Sequence, residues 1–591
     1  MNPGDPAARD RKRHGRHYTP PALARFLAER LVAHVPRPGV RDGVPGAGVL
    51  RVLDPACGDG ELLLALHRVA GEVMPGVAVE LVGYDLDLAG VAMARERAEA
   101  AGVAVEWHIG DFLTASAGIA DGSFDAIITN PPYVRTQQLG GPTAQLLSKR
   151  FGLRGRIDLT HPFVAIAPRL LRPDGVLGLL CANRFLTTKA GANIRSLLLT
   201  ELSPVELYDL GDTKLFEAAV LPAVTIATRT ASRAVCRHVS AYEVETTETV
   251  SAADLFEALT AEGSHTVTHA GRTFAVEVGA LATGDQTVTS DQASGQEGEG
   301  ADTGTLGAGD GGGKGAWRMS RPGVDGWLGE VEAGTWRTFG EVGRIRVGIK
   351  TTADRVFISE RWGEMELRPE GELLFDLITH HDVEPWRISR ARDTRVLYPY
   401  DTSESTRIPV DLRGFPRAAA YLEANRETLA ARKYLTDGGR EWFEIWVPQR
   451  PHLWRVPKVV FPDISERPRF ALDRSGAVVN GDCYWISLAD LGVDGAAERL
   501  AYLLMGVANS ALGLRFYDAV CGNRLYSGRR RWITQYVSRL PLPDPTTMRA
   551  GGVVELVRDF VDGGRVPDAN SLRLLDEWVA AAFGPRVYEM R

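Results

Sequence analysis

The chain has little of several things. Its five cysteines (Cys57, Cys181, Cys236, Cys483 and Cys521) are scattered with no CxxC spacing, which argues against a zinc site and against a disulfide framework. No metal is expected, and the default compartment is a reducing cytoplasm. No apolar run is long enough to span a bilayer, so no membrane helix is expected. The first sixteen residues are polar and basic (Arg9, Arg11, Lys12, Arg13, Arg16) with no apolar segment after them, unlike a signal peptide. Positive charge is in short supply too. The chain has 68 Lys and Arg against 75 Asp and Glu, a net charge of -7, so its bulk charge does not mark a nucleic-acid binder. Basic charge is instead local, with Arg524, Arg529, Arg530, Arg531 and Arg539 crowding a short stretch near the C-terminus.

What is present is a large, ordinary globular composition. With 591 residues, 44% hydrophobic and 24% charged, the chain exceeds one core and predicts at least two domains. From about Thr283 to Gly315 it is Gly, Asp, Glu, Thr and Ser with almost no large apolar side chain. Such a stretch buries too little surface to offset the entropy of ordering, so it reads as a flexible linker. The expected division is a catalytic domain over 1–282, a linker over 283–316, a second domain over 317–546 and a helical tail over 547–591.

Before the linker, short apolar runs (Val49 to Leu53, Leu81 to Tyr84, Ala126 to Ile128) alternate with helix-like stretches such as Glu61 to Val69 and Ala89 to Ala101. This alternation predicts an α/β domain with a parallel, doubly wound sheet and ligands beyond the carboxyl ends of its strands. After the linker the alternation is lost and prolines and aromatics are scattered, which predicts an irregular mixed domain. Residues 495 to 520, and Leu572 to Val579, read as helices.

Chemistry-bearing residues fall where the strands should end. Asp54-Pro55-Ala56-Cys57-Gly58-Asp59-Gly60 follows the first strand; its glycines permit close backbone approach, but Asp54 and Asp59 would repel a pyrophosphate, so a ligand with a positive centre fits better. An ordinary tight turn remains the alternative. Asp85 closes the second strand, where a carboxylate suits the two hydroxyls of a ribose or the cap of a helix. Asp111-Phe112 follows the third; Asp111 suits an adenine amino group and Phe112 either its ring or the core. Asn130-Pro131-Pro132-Tyr133 follows the strand-like run Phe124 to Thr129. Two prolines fix φ and remove two donors, leaving the carbonyls of Asn130 and Pro131 to accept hydrogen bonds, with an aromatic face alongside. That combination suits a planar amine, or simply ends the strand.

Taken in order, these residues resemble the gamma-type N6-adenine DNA methyltransferases of the TaqI kind. Gly15-Arg16-His17-Tyr18-Thr19-Pro20 is similar to the family's motif at the methionine end of S-adenosylmethionine (AdoMet). Asp54 to Gly60, including Pro55, Ala56, Gly58 and Gly60, is similar to the AdoMet loop, Asp85 to the ribose carboxylate, and Asp111-Phe112 to the adenine site. Asn130 to Tyr133 resembles the catalytic motif. Leu170 to Leu177 resembles the helix-to-strand hinge. Leu210-Gly211-Asp212-Thr213-Lys214-Leu215-Phe216 resembles the segment whose aromatic faces the flipped base, which makes Phe216 the partner of Tyr133. Asp85 stands where Glu is common in the family.

The second half resembles a TaqI-type target-recognition domain, opening at Gly343 to Ile358 and closing at Tyr502 to Phe516 with Arg539-Leu540-Pro541-Leu542-Pro543. Arg346 and Lys350 gain a DNA-binding expectation from that motif. Arg529, Arg530, Arg531 and Trp532 suit phosphates or a base step, or form a solvated loop. The resemblance implies AdoMet as cofactor, double-stranded DNA as substrate and adenine N6 methylation in a restriction-modification or related defence system. No nuclease segment is seen, so a restriction endonuclease, or another defence-complex subunit, would be a separate protein. Two other readings stand beside this one: a methyltransferase acting on RNA or on a protein glutamine, and a catalytically idle DNA-binding or scaffold subunit.

Overall fold

The computed structural model describes residues 18–37, 40–41, 44–45, 48–133, 141–153, 158–213, 215, 221–230, 235–244, 250–282, 317–320, 322–521, 528–564 and 566–590. The expected linker at 283–316 and the resemblance-assigned Gly15, Arg16, His17 and Phe216 lie outside them. The chain forms two compact units, residues 1–321 and essentially residues 322–591.

The first unit is built on an eleven-stranded sheet. Its strands are β1 (Val49–Asp54), β2 (Ala78–Asp85), β3 (Val105–Ile109), β4 (Phe124–Thr129), β5 (Leu171–Ala182), β6 (Ser203–Asp209), β7 (Pro222–Thr228), β8 (Arg237–Glu243), β9 (His265–His269), β10 (Arg272–Ala282) and β11 (Arg318–Ser320). The order is β9-β10-β8-β6-β7-β5-β4-β1-β2-β3, with β11 on β10. From β3 to β5 neighbouring strands run parallel. The sheet as a whole is mixed, not parallel throughout as the sequence reading expects, because β7 runs antiparallel between β5 and β6 and the pairs among β8 to β11 are antiparallel.

Central strands need apolar side chains on both faces. All six residues of β4 are accordingly buried, as is the run from Val176 to Cys181 in β5. Helices α1 (Pro21–Val32), α2 (Glu61–Val73), α3 (Leu88–Ala100) and α4 (Thr160–Leu170) belong to this unit. α1 starts on a proline, which is compatible with the first helical turn, and buries Leu23, Ala24, Leu27 and Leu31 at helical spacing. It lies so close to β5 that a Cβ on Gly178 would stand 2.6 Å from Leu31 Cδ1.

α1 is also tied to the sheet by charge. Glu206 of β6 accepts from Arg30 Nε (2.8 Å) and from the Tyr208 hydroxyl (2.8 Å), with His34 Nε2 at 3.0 Å. Burial by itself would raise this carboxyl, but the hydrogen bonds from Arg30, His34 and Tyr208 outweigh it and hold the pKa at about 2, against an ordinary 4.5. A carboxyl depressed in the folded state adds stability above its unfolded pKa and loses it as pH falls through the folded value. The contribution is about 3 kcal/mol at neutral pH, lost between about pH 4.5 and pH 2. In melting experiments Glu206→Gln is expected to lie below the native protein at neutral pH and to converge on it across that window. A gap that does not change with pH would refute this account.

The second unit carries two four-stranded sheets. In the first, β12 (Ile345–Val347), β19 (Cys483–Ser487), β16 (Lys458–Pro462) and β17 (Ala471–Asp473) lie in that order; in the second the order is β13 (Ile358–Ser359), β15 (Arg395–Leu397), β14 (Leu374–Ile378) and β18 (Val478–Val479). Lys458 and Asp473 face each other across β16 and β17 and form a fully buried ion pair at 2.7 Å. Lys458 also donates to Trp454 O (3.0 Å), and Asp473 Oδ1 accepts from Ser475 N (3.1 Å) and Oγ (2.6 Å).

The helices of this unit include α5 (Asp494–Asn509), α6 (Ala511–Cys521), α7 (Met548–Asp562) and α8 (Ala569–Phe583). The helix expected over 495–520 is thus two, interrupted at Ser510. Residues 547–591, expected as a separate tail, share one core with α5, through contacts that bury Val553, Val557, Leu575 and Val579. At the other end, residues 317–320 belong to the first unit. Trp317 is buried there edge-on to Phe185, and β11 pairs with β10.

Candidate active site

The chain leaves β1 on one side for β2 and β3 and returns on the other for β4. The resulting switch point lies between β1 and β4, where open α/β sheets bind ligands beyond the carboxyl ends of the strands. Asp54 ends β1, Asp85 ends β2 and Asn130 follows β4, so the parallel register brings all three to one edge.

The turn after β1 is held by backbone bonds. Gly58 N–H donates to Asp85 Oδ2 and Asp87 N–H to Asp85 Oδ1, both at 2.8 Å. Cys57 N–H donates to Tyr84 O and Gly60 N–H to Cys57 O, also at 2.8 Å. Gly58 adopts φ +51°, and a Cβ there would lie 3.2 Å from the Tyr18 ring, so the left-handed turn and the close aromatic both require glycine. Tyr18 thus stands over the loop, while Pro20 caps α1 by accepting from Ala24 N–H (2.9 Å). Pro55 is buried and Ala56 half-buried.

Asp54 is completely buried. Ala56 N–H donates to its Oδ1 (3.0 Å), whereas its Oδ2 has only the neighbouring Thr129 hydroxyl, outside good hydrogen-bond geometry, beside it. Burial pushes its pKa up to about 8, with the charges of Asp85 and Asp59 adding to the rise. A desolvated, poorly satisfied carboxylate oxygen beside a glycine turn fits a ligand with a positive centre, which would restore the ionised form. AdoMet, with its sulfonium and ammonium groups, meets that requirement.

Asn130 links three of the expected segments. Its Nδ2 donates to Thr19 Oγ1 (3.1 Å), and its Oδ1 accepts from the Tyr133 hydroxyl (2.5 Å). Pro131 is buried; Pro132 and Tyr133 are half-buried. Burial raises the Tyr133 phenol, and Cys181 and Asp158 add to that rise. Cys57 and Cys181 are both buried with thiols pushed well up, so neither offers a thiolate.

Asp111 and Phe112 are placed differently from one another. Asp111 is exposed and caps a short helix, accepting from Leu113 N–H (3.1 Å) and Thr114 Oγ1 (2.5 Å). Phe112 is a core aromatic, stacked on Phe163 (5.8 Å) and edge-on to Tyr84 (5.3 Å).

A set of residues that sequence reasoning missed supports the Asn130 loop. Thr160 Oγ1 lies 3.5 Å from Pro132 O, and Thr160 N–H donates to Asp158 Oδ1 (3.2 Å). Asp158 in turn pairs with Arg184 (2.5 Å). Together with His161, Cys181 and Thr188 they line a pocket. Asp158 to His161 and Cys181 to Thr188 are joined by α4 and β5, whose antiparallel packing brings them together, and the pairing of β4 with β5 sets them beside the Asn130 loop. Likewise Trp107 packs against Gly60 and Gly83, where a Cβ would meet its ring at 2.9 and 2.7 Å.

The basic residues of the second unit separate into two groups. Arg346 forms an ion pair with Asp490 (Nη2 to Oδ1, 3.1 Å) and lies over the Trp485 ring. Arg530 forms a bidentate pair with Asp518 (2.6 and 2.7 Å). Both guanidinium groups are thus engaged by carboxylates within the unit. Trp532, buried and 4.3 Å from Tyr517, is a core residue and not a base contact. Arg531 is half-exposed and faces Asp463 at 3.2 Å, while Arg529 and Lys350 are exposed with no acidic partner among the described residues.

Comparison with known proteins agrees with this geometry. Residues 92–216 match the Eco57I restriction-modification methylase family. The type II methyltransferase M.BanIII of Aneurinibacillus aneurinilyticus is 32% identical over 602 residues, covering 97% of each chain. M.PaeR7I of Pseudomonas aeruginosa is 24% identical over 438 residues, covering 73% of this chain and 66% of its own. The solved structure of the type IIL restriction-modification enzyme MmeI in complex with DNA shares the fold, with a TM-score of 0.53, 13% identity, and coverage of 96% of this chain and 71% of that one. The chain belongs to the type II DNA methyltransferases of restriction-modification systems, and its cofactor is S-adenosylmethionine.

Proposed function

We propose that this protein methylates the N6 amino group of an adenine flipped out of double-stranded DNA. The observation that carries the reading is the Asn130 side chain. Its amide is fixed from the Thr19 side, and its oxygen already accepts a hydrogen bond from the hydroxyl of Tyr133.

A base inside a duplex is out of reach of a cofactor, so the target must leave the stack, and an aromatic platform offsets part of the lost stacking. Tyr133 supplies that platform, with Phe216 its proposed partner from the opposite face. Asn130 Oδ1 and the Pro131 carbonyl then accept the two amino hydrogens. This draws the nitrogen toward tetrahedral geometry and directs its lone pair along the line of attack. AdoMet supplies an activated methyl group on a sulfonium. Asp54 and Asp85, with Tyr18, Thr19, Pro55, Ala56, Gly58 and Gly60, hold that cofactor, and exposed Asp111 borders its adenine, while Phe112 backs that position from the core. Positioning and fixed acceptors supply the catalysis, and no covalent nucleophile is used. The buried, protonated state of Cys57 and Cys181 agrees with that.

The second unit reads as the target-recognition half, with Lys350, Arg529 and Arg531 as its exposed cations. No helix among the described residues is long and apolar enough to cross a membrane. We place the protein in the cytoplasm, beside a separately encoded restriction endonuclease or other defence-complex subunits.

The test is methyl transfer from tritiated AdoMet to unmethylated plasmid DNA, followed by digestion to nucleosides. Label is expected in N6-methyldeoxyadenosine. Label in a cytosine, in RNA or in protein, or no transfer at all, overturns the reading.

A further inference from the structure

Two large aromatic side chains of the second unit, Tyr434 and Trp446, are 44% and 41% exposed. They meet edge to face, with ring centroids 4.8 Å apart and planes at 84°. Exposed single aromatics are commonplace, but a fixed pair of them is a contact surface waiting for an apolar or π face.

This pair is held on every side. The Tyr434 hydroxyl donates to Thr352 Oγ1 (2.6 Å), which itself donates to Thr351 O (2.6 Å). Arg440 Nη1 donates to Trp446 O (2.8 Å), and Val447 exchanges two backbone hydrogen bonds of 3.0 Å with Lys350. The segment bearing Lys350 and the segment bearing Trp446 each include a non-glycine residue in left-handed backbone, Thr352 (φ +57°) and Gln449 (φ +66°). For a β-branched threonine that conformation is costly, and strained residues of this kind persist where surrounding structure holds them and gather at functional surfaces. The Gln449 side chain is likewise anchored, donating to Val347 O (2.7 Å).

Charge identifies what the surface meets. Lys350 and Lys433, the latter next to Tyr434 in the chain, are exposed and have no carboxylate partner among the described residues. Arg346, by contrast, is consumed by Asp490. An exposed lysine beside rigid aromatics complements a polyanion that carries flat apolar groups, which is the description of DNA.

We propose that Tyr434, Trp446 and Lys350 form a DNA-contact surface, the aromatic pair packing against base or sugar edges of the duplex and Lys350 against a phosphate. The inference rests on the reading of the second unit as the recognition half.

The experiment uses the full chain and a short duplex containing a site that sequencing shows the native protein to methylate. Trp446→Ala is expected to raise KM for that duplex on the order of tenfold, the scale of one lost aromatic stack. kcat at saturating DNA, AdoMet binding and melting temperature should stay near native. Trp446→Phe should recover most of the loss. Lys350→Ala should weaken binding and lower the slope of log K against log salt by about 0.9, one phosphate contact. Native DNA affinity and salt slope in both alanine variants overturn the proposal. If Trp446→Ala melts early, Lys350→Ala decides, because that side chain is exposed and makes no ion pair. A native protein that methylates no DNA refutes the proposed function instead, whereas methylation unaffected by these variants refutes only the surface.

Discussion

Asn130→Ala is expected to lower methyl transfer to DNA by on the order of 10³-fold while AdoMet binding stays within about twofold of native. Removing one preorganised group that stabilises a transition state costs roughly 10²–10³ in rate in comparable sites. Here the same side chain also orients the aromatic platform, since its oxygen accepts from Tyr133 and its nitrogen donates to Thr19. The loss should appear in kcat, not in KM for the cofactor, because Asp54, Gly58 and Asp85 stand on a different turn with its own hydrogen bonds. Stability should fall by only about 1–2 kcal/mol, the scale of one or two part-buried hydrogen bonds. Single-turnover transfer of tritium from AdoMet, with equilibrium dialysis for cofactor binding, measures both quantities. Transfer within tenfold of native would remove Asn130 from the chemistry.

Asp473→Ala is expected to destabilise the second unit by about 3–5 kcal/mol, the range seen when one partner of a buried ion pair is deleted. The reason is what remains: the Lys458 ammonium, completely buried, retains only the Trp454 carbonyl as a partner. Burial already lowers its pKa against the pull of Asp473, so the lone lysine would be expected to shed its proton. Replacing both residues, Lys458→Met with Asp473→Leu, should recover most of the loss, since a matched apolar pair carries no desolvation cost. Denaturant unfolding followed by tryptophan emission tests this, with transitions fitted separately because two units need not unfold together. A single substitution costing under about 1 kcal/mol would refute it.

The sequence made the cofactor edge of the fold legible because that edge is built from local signals. Val49 to Leu53, Leu81 to Tyr84 and Ala126 to Ile128 are apolar runs short enough to be buried strands, and each ends in a polar residue or glycine turn at the sheet's edge. The antiparallel half of the sheet carried no such alternation, and its register depends on partners far away in the chain, as where β7 inserts between β5 and β6. Side-chain roles in the second unit were the least legible. Nothing near Arg346 announces Asp490, nor does the run around Arg530 announce Asp518, yet those carboxylates hold both guanidinium groups. Tyr434 and Trp446 were unmarked for the converse reason. In a sequence rich in buried tryptophans, exposure is a property of the fold alone. The same holds for Asp158 and Arg184, which meet only once α4 folds back along β5.

The hydroxyl of Tyr133 on the Asn130 oxygen has a bearing on how the site chooses its guest. An acceptor already occupied by a protein donor need not be stripped of water when a nucleobase arrives. One hydrogen bond is exchanged for another of the same kind, and the enthalpy of that swap is close to zero. If the proposed reaction holds, discrimination rests on what the swap cannot supply: the fit of the ring against the aromatic face and the presence of a second amino hydrogen for the Pro131 carbonyl. An amine with one hydrogen, such as an adenine already methylated, satisfies only one of the two acceptors. On the proposed reaction the product is therefore a poorer occupant than the substrate, and its release is favoured by the acceptor it leaves unmatched.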